Sequence, residues 1–232
     1  MLTLDALTIR QGDFSLTADW SVAPAERVAI IGPSGGGKST LLMTIAGFIP
    51  LTSGRLLWQG RDLVGVPPGQ RPVSMLFQDQ NLFPHLTVAQ NLGLGLSSDL
   101  RLTSVQVDQV ESALRRVGLE GMGERKPSEL SGGQQGRAAL ARALLRARPV
   151  LLLDEPFAAL GPALKAEMLD LVAEVASETG AAVLMVTHDP ADARRFADKT
   201  VLVADGVAQA PQPTAALFAE PPQALRDYLG TA

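Results

Sequence analysis

Apolar residues near the amino terminus recur at every second position, which is the pattern of half-buried strands. This period runs through residues 14–20, and through residues 2–9 with a slip between Leu4 and Leu7. Gly12-Asp13 lies between the two runs and is suited to a turn. The sequence therefore predicts an antiparallel pair of strands at the start of the chain.

Short continuous apolar runs replace this alternation farther along the chain and are typical of strands buried on both faces. They occupy residues 28–31, 72–77, 150–153 and 182–186. Residues 162–177, between the last two runs, carry apolar side chains at helical spacing, and residues 201–209 are predicted to form a hairpin. Strands that alternate with helices in this way predict an α/β core.

A helical block interrupts the α/β pattern. Its three predicted helices are one capped by Thr87, one capped by Thr103 or Ser104 and stopped at Gly118, and one over residues 134–146. We therefore predict one domain over residues 1–232 that has three parts. The parts are an α/β core with an antiparallel β portion (residues 1–80 and 149–210), an inserted helical part (81–148) and a tail helix (211–232).

Composition and charge exclude several classes of protein. The 232 residues are 46% hydrophobic and 19% charged, which is ordinary for a globular protein. A net charge of −4 gives no reason to expect a nucleic-acid partner, and the lack of cysteine excludes disulfides and thiolate metal sites. The sequence has no signal-peptide pattern and no apolar run near the roughly 20 residues that span a bilayer. We expect a soluble, cytoplasmic protein that can reach a membrane through a partner.

The segment after the strand at residues 28–31 fits the phosphate-binding loop pattern, and an amphipathic helix follows it. Glycines let backbone N–H groups approach phosphate oxygens, Lys38 would reach the β- and γ-phosphates, and the Ser39 hydroxyl would ligate Mg²⁺. A glycine turn that binds nothing is the alternative, which the strand–loop–helix context disfavours. The candidate nucleotide-binding residues are Gly32, Pro33, Ser34, Gly35, Gly36, Gly37, Lys38, Ser39 and Thr40.

Two acids close the apolar run at residues 150–153. A buried strand would deliver Asp154 beside the phosphate loop to hold Mg²⁺, and would place Glu155 to polarise an attacking water. The alternative is a pair of surface acids at a strand end. Pairing with a complete phosphate loop favours the catalytic interpretation.

A second candidate anion site precedes the third predicted helix and consists of Ser131, Gly132, Gly133 and Gln134. Two glycine N–H groups and a serine hydroxyl at a helix amino terminus suit an anion. A helix cap explains Ser131 equally well. A cap does not account for the paired glycines and the glutamine.

The phosphate loop, Gln78, residues 130–134, Asp154-Glu155 and His188 occur in the order and spacing of ATP-binding-cassette (ABC) ATPases, and the whole chain resembles that family. The resemblance implies a phosphate-loop NTPase core with an antiparallel β subdomain and an inserted α-helical subdomain, and ATP and Mg²⁺ as ligands. It also implies two copies bound head to tail around two ATP molecules. Gln78 would contact Mg²⁺ and the attacking water, and His188 would contact the γ-phosphate.

A narrower resemblance lies in residues 71–78 and 81–96, which are similar to the ATPase subunits of bacterial thiamine importers. It implies ATP-driven uptake of thiamine or its phosphates through an integral membrane permease, on the cytoplasmic face of the cell membrane, with a substrate-binding protein as an indirect partner. Residues 78–96 would form part of the groove for the permease, and His85 would lie near that surface or be simply solvated. The alternatives are another cargo (iron(III), a polyamine or an oxyanion) or a soluble ABC ATPase that acts on nucleic acid or ribosomes.

Three positions depart from the family pattern. Gly161 stands where the loop after Glu155 usually has aspartate, and Gly136 stands where glutamine is common. Arg10 and Gln11 occupy the place of the aromatic residue on which many members stack adenine. Phe14 is the nearest aromatic residue, and whether it serves in that role stays open.

Overall fold

The computed structural model describes residues 1–78, 81–158 and 160–230. Its strands are β1 (Leu2–Gln11), β2 (Phe14–Val22), β3 (Arg27–Ile31), β4 (Ser53–Trp58), β5 (Arg61–Asp62), β6 (Val73–Leu76), β7 (Val150–Asp154), β8 (Ala182–Val186), β9 (Lys199–Ala204), β10 (Val207–Ala208) and β11 (Gln212–Pro213). Its α-helices are α1 (Lys38–Ala46), α2 (Val88–Gly93), α3 (Ser104–Arg116), α4 (Gly132–Leu145), α5 (Pro162–Thr179), α6 (Pro190–Phe196), α7 (Thr214–Ala219) and α8 (Gln223–Leu229). These strands pair into a sheet of order β5-β4-β1-β2-β10-β9-β3-β8-β7-β6, and β11 pairs with β9.

The amino-terminal side of the sheet is antiparallel, as the alternating pattern predicts, with β1 paired to β2 and to β4. The slip in the pattern is a β-bulge, because the register shifts between Leu4 and Leu7 and Ala6 has a left-handed φ of 45°. The extra residue returns both leucines to the buried face of the sheet, where each is fully inaccessible.

The other side of the sheet is parallel and carries the candidate site. Strand β3 lies between β8 and β9, β8 pairs with β7, and β7 pairs with β6, all in parallel. An apolar cluster covers each face of the sheet. One cluster includes α1, and the other includes α3, α4 and α5. Because the carboxyl ends of parallel strands meet at one edge, the segments that follow β3, β6, β7 and β8 lie side by side there.

The helices between β6 and β7 agree with the predicted inserted helical block, apart from one boundary. Thr87 and Thr103 cap α2 and α3 with reciprocal side-chain hydrogen bonds, and Gly118 follows α3 with a φ of 66°. Helix α4 begins at Gly132, two residues before the predicted start, because Ser131 caps it. The fold class predicted from the resemblance is confirmed.

The carboxyl-terminal segment contains two short helices, so the prediction of one tail helix is wrong. The chain leaves α7 at Glu220, and Pro221-Pro222 follow before α8 begins. A proline ring lacks the N–H that would continue the first helix, so the segment breaks there. Within the described ranges, no helix is both long and apolar enough to cross a membrane.

Candidate nucleotide-binding site

The predicted phosphate loop connects β3 to α1, which begins at Lys38. Gly32 has a φ of 145°, and a Cβ on it would lie 2.1 Å from the carbonyl oxygen of Val203. Gly37 has a φ of 97°, and a Cβ there would lie 2.5 Å from the ring of Phe14. The loop is thus confined between β9 and the Phe14 ring, and only glycine fits at these two positions.

Lys38 folds back over its own loop. Its ammonium donates hydrogen bonds to the carbonyl oxygens of Gly32 (2.9 Å) and Pro33 (2.8 Å). Burial lowers the pKa of Lys38, and the nearby carboxylates of Glu155 and Asp154 oppose that change. The loop therefore holds a cation against its backbone, where an anionic phosphate group would find a charge partner.

Ser39 in α1 and Asp154 at the end of β7, two of the three residues predicted to hold Mg²⁺, are in contact. The Ser39 hydroxyl donates to Oδ1 of Asp154 at 3.0 Å. Burial raises the pKa of Asp154, and the hydrogen bond from Ser39 opposes the change. A hydroxyl and a carboxylate are hard oxygen ligands that suit Mg²⁺, which usually completes its shell with water and substrate phosphates. The described residues contain no group of three acidic, histidine or cysteine side chains that could hold a metal without such help.

Glu155 and His188 form a second contact at the same edge of the sheet. Nδ1 of His188 lies 3.2 Å from Oε2 of Glu155, and the imidazole remains largely exposed. Glu155 has a φ of 45°, in the left-handed region that is costly for a residue with a side chain. Its N–H donates to the carbonyl oxygen of Val186 in β8 (3.1 Å). The backbone thus turns sharply after Asp154, and the Glu155 carboxylate lies beside His188.

Gln78 lies two residues beyond Leu76, which pairs with Leu153 of β7. It is exposed at the same edge of the sheet as Asp154. The next residues, Asp79 and Gln80, lie outside the described part of the chain, as does Ala159 in the loop after Glu155.

At the second candidate anion site, the helix-cap alternative explains more residues than the sequence argument allowed. Oγ of Ser131 accepts from the N–H of Gln134, and Oε1 of Gln134 accepts from the N–H of Ser131, which together form a capping box. The glutamine is therefore accounted for by helix capping. Gly133 packs against Leu160, whereas a Cβ on Gly132 would meet nothing within 4 Å. Among the described residues, no hydrogen bond or ion pair joins Ser131, Gly132, Gly133 or Gln134 to the phosphate loop or to Asp154 and Glu155.

Sequence reasoning missed an ionic network behind His188. Nζ of Lys165 lies 2.9 Å from Oδ2 of Asp189 and 3.0 Å from Oδ2 of Asp192. Oδ2 of Asp192 also accepts from the hydroxyl of Thr187 at 2.9 Å. The pKa of Asp189 is lowered chiefly by its bond to Lys165. This network joins α5 to the loop between β8 and α6 and so holds the residues on both sides of His188.

Comparison with known proteins agrees with this geometry. Residues 16–158 match the family model described as ABC transporter. The chain is 72% identical to the thiamine import ATP-binding protein of Cereibacter sphaeroides, over 99% of this chain and 100% of that protein. It is 62% identical to the protein of the same name from Ruegeria sp., with the same coverage.

Solved structures lead to the same family. A dimeric ATP-binding cassette bound to ADP and Pi in a post-hydrolysis state superposes with a TM-score of 0.82 at 29% identity, over 92% of this chain and 99% of that one. A second dimeric structure, of a bacterial ABC transporter cassette, agrees equally well. From the family match, the full-length relatives and the cassette fold, we conclude that this chain belongs to the ABC transporter family.

Proposed function

We propose that this chain is the ATP-hydrolysing subunit of an importer for thiamine or thiamine phosphates. Proteins of this family hydrolyse ATP to power transport, and relatives at 72% and 62% identity are named as thiamine import ATP-binding proteins. The observation that carries the proposal is the pair of contacts at one sheet edge. Ser39 meets Asp154 at 3.0 Å, and Glu155 meets His188 at 3.2 Å, directly beside the phosphate loop.

The phosphate loop and Lys38 would bind the β- and γ-phosphates of ATP. Ser39, Asp154 and Gln78 would hold Mg²⁺, which would neutralise charge on the transferred phosphoryl group. On ATP binding, the Lys38 ammonium would exchange its bonds to the Gly32 and Pro33 carbonyls for phosphate oxygens. The burial that lowers the pKa of Lys38 also strengthens this attraction, because solvent screens it less.

Glu155 would polarise the attacking water and accept its proton. His188, 3.2 Å from that carboxylate, would orient it and contact the γ-phosphate. The left-handed φ of Glu155 supports this role, because strained backbone of this kind tends to persist where a side chain must be aimed.

A second copy of the chain would complete each ATP site with its residues 131–134. Three observations support this: among the described residues no hydrogen bond or ion pair joins residues 131–134 to their own phosphate loop, the space around Gly132 is open, and the related cassettes were solved as dimers. The Ser131 hydroxyl accepts a hydrogen bond within its capping box and still has its own proton to donate to an anion.

The permease would dock on the described residues of segment 78–96, which would attach the chain to the cytoplasmic face of the cell membrane, with a substrate-binding protein delivering the cargo. Buried Asn91 bonds the N–H and carbonyl of Phe83 (2.7 and 3.0 Å) and the carbonyl of Thr87 (3.0 Å). These bonds rigidify the loop that presents Phe83 and His85 outward. Phe83 is 46% exposed, so its ring is available for an apolar contact with a protein partner.

The Glu155→Gln variant tests the catalytic assignment. An amide keeps the size of the carboxylate but cannot accept the proton, so we expect turnover to fall by roughly 10²–10⁴-fold while ATP still binds. Glu167→Gln removes the same charge from an exposed position of α5 and should leave turnover unchanged. Near-normal turnover in Glu155→Gln would remove Glu155 from this role.

Transport by the reconstituted importer tests the cargo. ATP-dependent uptake of labelled thiamine that unlabelled thiamine or its phosphates suppress, and that iron(III), polyamines and oxyanions do not, would support the assignment. Recovery of ribosomes or DNA with the chain, in place of an integral membrane protein, would contradict it.

A further inference from the structure

The carboxyl-terminal helix α8 contacts the loop that carries His188. The hydroxyl of Tyr228 in α8 donates to the backbone carbonyl oxygen of His188 at 2.7 Å. Leu225 of the same helix is fully buried, and Tyr228 and Leu229 pack against the same core cluster. The tyrosine is thus held by the core, and its hydroxyl reaches a residue 40 positions earlier in the sequence.

Elements other than α8 hold the residues on either side of His188. Thr187 donates its N–H to Ile30 of β3 (3.2 Å) and its hydroxyl to Asp192 (2.9 Å). Asp189 accepts from Lys165 of α5 and donates its N–H to the Thr187 hydroxyl (3.1 Å). These bonds fix both neighbours of His188, and the bond from Tyr228 fixes its own carbonyl.

We propose that Tyr228 is a positioning residue for ATP hydrolysis, which holds the His188 peptide so that the imidazole stays beside Glu155. The proposal rests on the catalytic roles proposed above for Glu155 and His188. A side chain that is 60% exposed, as that of His188 is, has little packing of its own to select a rotamer. The direction of its backbone therefore decides where the ring points. The carboxyl-terminal helix becomes a part of the hydrolytic site that no sequence motif marks.

The Tyr228 hydroxyl donates its single proton to the His188 carbonyl. Burial raises the pKa of Tyr228, and the negative charges of Glu155 and Asp189 raise it further. The hydroxyl therefore keeps its proton throughout the neutral range and can maintain its bond to the carbonyl. Its ring packs against the core cluster, and phenylalanine would keep that packing.

The Tyr228→Phe variant separates the hydrogen bond from the packing. We expect kcat for ATP to fall by about three- to tenfold, the effect of losing one hydrogen bond that orients a catalytic group. KM for ATP should change by less than about twofold, because the phosphate loop is untouched. The chain has two histidines, so imidazole NMR signals report on each of them. The His188 signals should shift in the variant, and those of His85 should stay in place.

A variant on the exposed side of α8 provides the control. Gln223 bonds Asp227 and Arg226 on the exposed side of the helix, so Gln223→Ala removes surface bonds of α8 and leaves the bond from Tyr228 to His188 in place. It should leave kcat and both sets of imidazole signals unchanged. Unshifted His188 signals in Tyr228→Phe, or shifted signals with unchanged kcat, would overturn the positioning role.

The same experiment distinguishes this inference from the proposed function. A wild-type chain that does not hydrolyse ATP would contradict the proposed function. The imidazole signals would still show whether Tyr228 holds His188, and unshifted signals would overturn the inference on that ground alone.

Discussion

Two charged side chains of the nucleotide site are almost inaccessible to solvent. Asp154 is 7% exposed and Lys38 is 8% exposed. Burial raises the pKa of the carboxyl and lowers that of the ammonium, so in both cases it disfavours the charged form. The chain therefore gives up folding stability to keep a cation and an anion at the site where we propose that phosphate and Mg²⁺ bind, a trade that is common at functional sites.

The Asp154→Asn variant should measure this cost. The amide keeps the size of the side chain and can accept the bond from Ser39, but it carries no charge to desolvate. At neutral pH and without ligand, we expect the free energy of unfolding of the variant to exceed that of the wild type by about 1 kcal/mol. The melting temperature should be about 2–4 °C higher. ATP hydrolysis should fall by at least about 100-fold, because the proposed Mg²⁺ ligand is lost.

The pH dependence of this difference has a defined sign. The pKa of Asp154 is raised in the folded state, so the folded chain binds the proton more tightly than the unfolded chain does. Wild-type stability should then decline relative to the variant as the pH rises from the ordinary carboxyl pKa of 3.8 through the raised value. Denaturation at several pH values checks this. A difference that stays constant, or grows as the pH falls, would contradict the explanation.

A buried arginine caps the carboxyl end of helix α1, which follows the phosphate loop. Arg71 is 6% exposed, and its guanidinium donates to the carbonyls of Thr44 and Ile45 (2.8 Å each) and of Val66 (2.9 Å). It bonds carbonyl oxygens at the carboxyl end of α1. Its positive charge also interacts favourably with the negative end of the helix dipole. The arginine thereby ties α1 to the segment before β6.

Replacing Arg71 by methionine should destabilise the fold. Methionine keeps much of the apolar stem but leaves three carbonyl oxygens without this donor, so we expect a loss of about 2–3 kcal/mol in the free energy of unfolding. Arg61→Met, at an exposed position of β5, should change it by less than about 0.5 kcal/mol. Urea denaturation of the two variants checks this. Equal stabilities would show that Arg71 is dispensable for α1.

The elements that the sequence predicted well are those with a local signal. The bulge at Leu4 and Leu7, the strand–loop–helix around Lys38 and the caps at Thr87 and Thr103 all follow from neighbouring residues. The capping box of Ser131 and Gln134 also had a local pattern, a serine followed three residues later by glutamine, which the anion-site interpretation overlooked.

The contacts that the sequence did not predict join residues far apart in the chain. Lys165 meets Asp189 across 24 positions, Arg71 meets Thr44 across 27, and Tyr228 meets His188 across 40. No period or spacing relates such pairs, because only the packing of α5, α1 and α8 on the sheet brings them together. Polar and charged residues of this kind look like ordinary surface positions until the fold is known.

The phosphate loop and residues 131–134 lie in separate parts of the fold. Among the described residues, no hydrogen bond joins the two segments. The loop supplies Lys38, Ser39 and the glycine backbone, and Asp154, Glu155 and His188 lie beside it. If residues 131–134 bind the nucleotide of a second copy, each chain contributes two different half-sites. Two such chains related by two-fold symmetry form two complete sites.

The Gly132→Asp variant tests this arrangement, because within its own chain a Cβ at Gly132 meets nothing. An aspartate in the first turn of α4 also suits the helix dipole, so folding should be unaffected. Against the phosphates of ATP held by a second copy, the added carboxylate would be repelled. We expect an unchanged melting temperature and a loss of hydrolysis of at least about tenfold. Full activity in this variant would argue that the phosphate loop works without residues 131–134.

Mixing Gly132→Asp chains with Lys38→Ala chains is a stronger test of whether two copies share each ATP site. Each variant should be inactive alone, since every dimer of one kind has two defective sites. Half of the dimers formed at random are mixed, and each has one intact site, so up to about a quarter of wild-type activity should return. Activity per wild-type chain should likewise rise with protein concentration as dimers form. No recovery in the mixture, with wild-type activity strictly proportional to concentration, would mean that each chain hydrolyses ATP by itself.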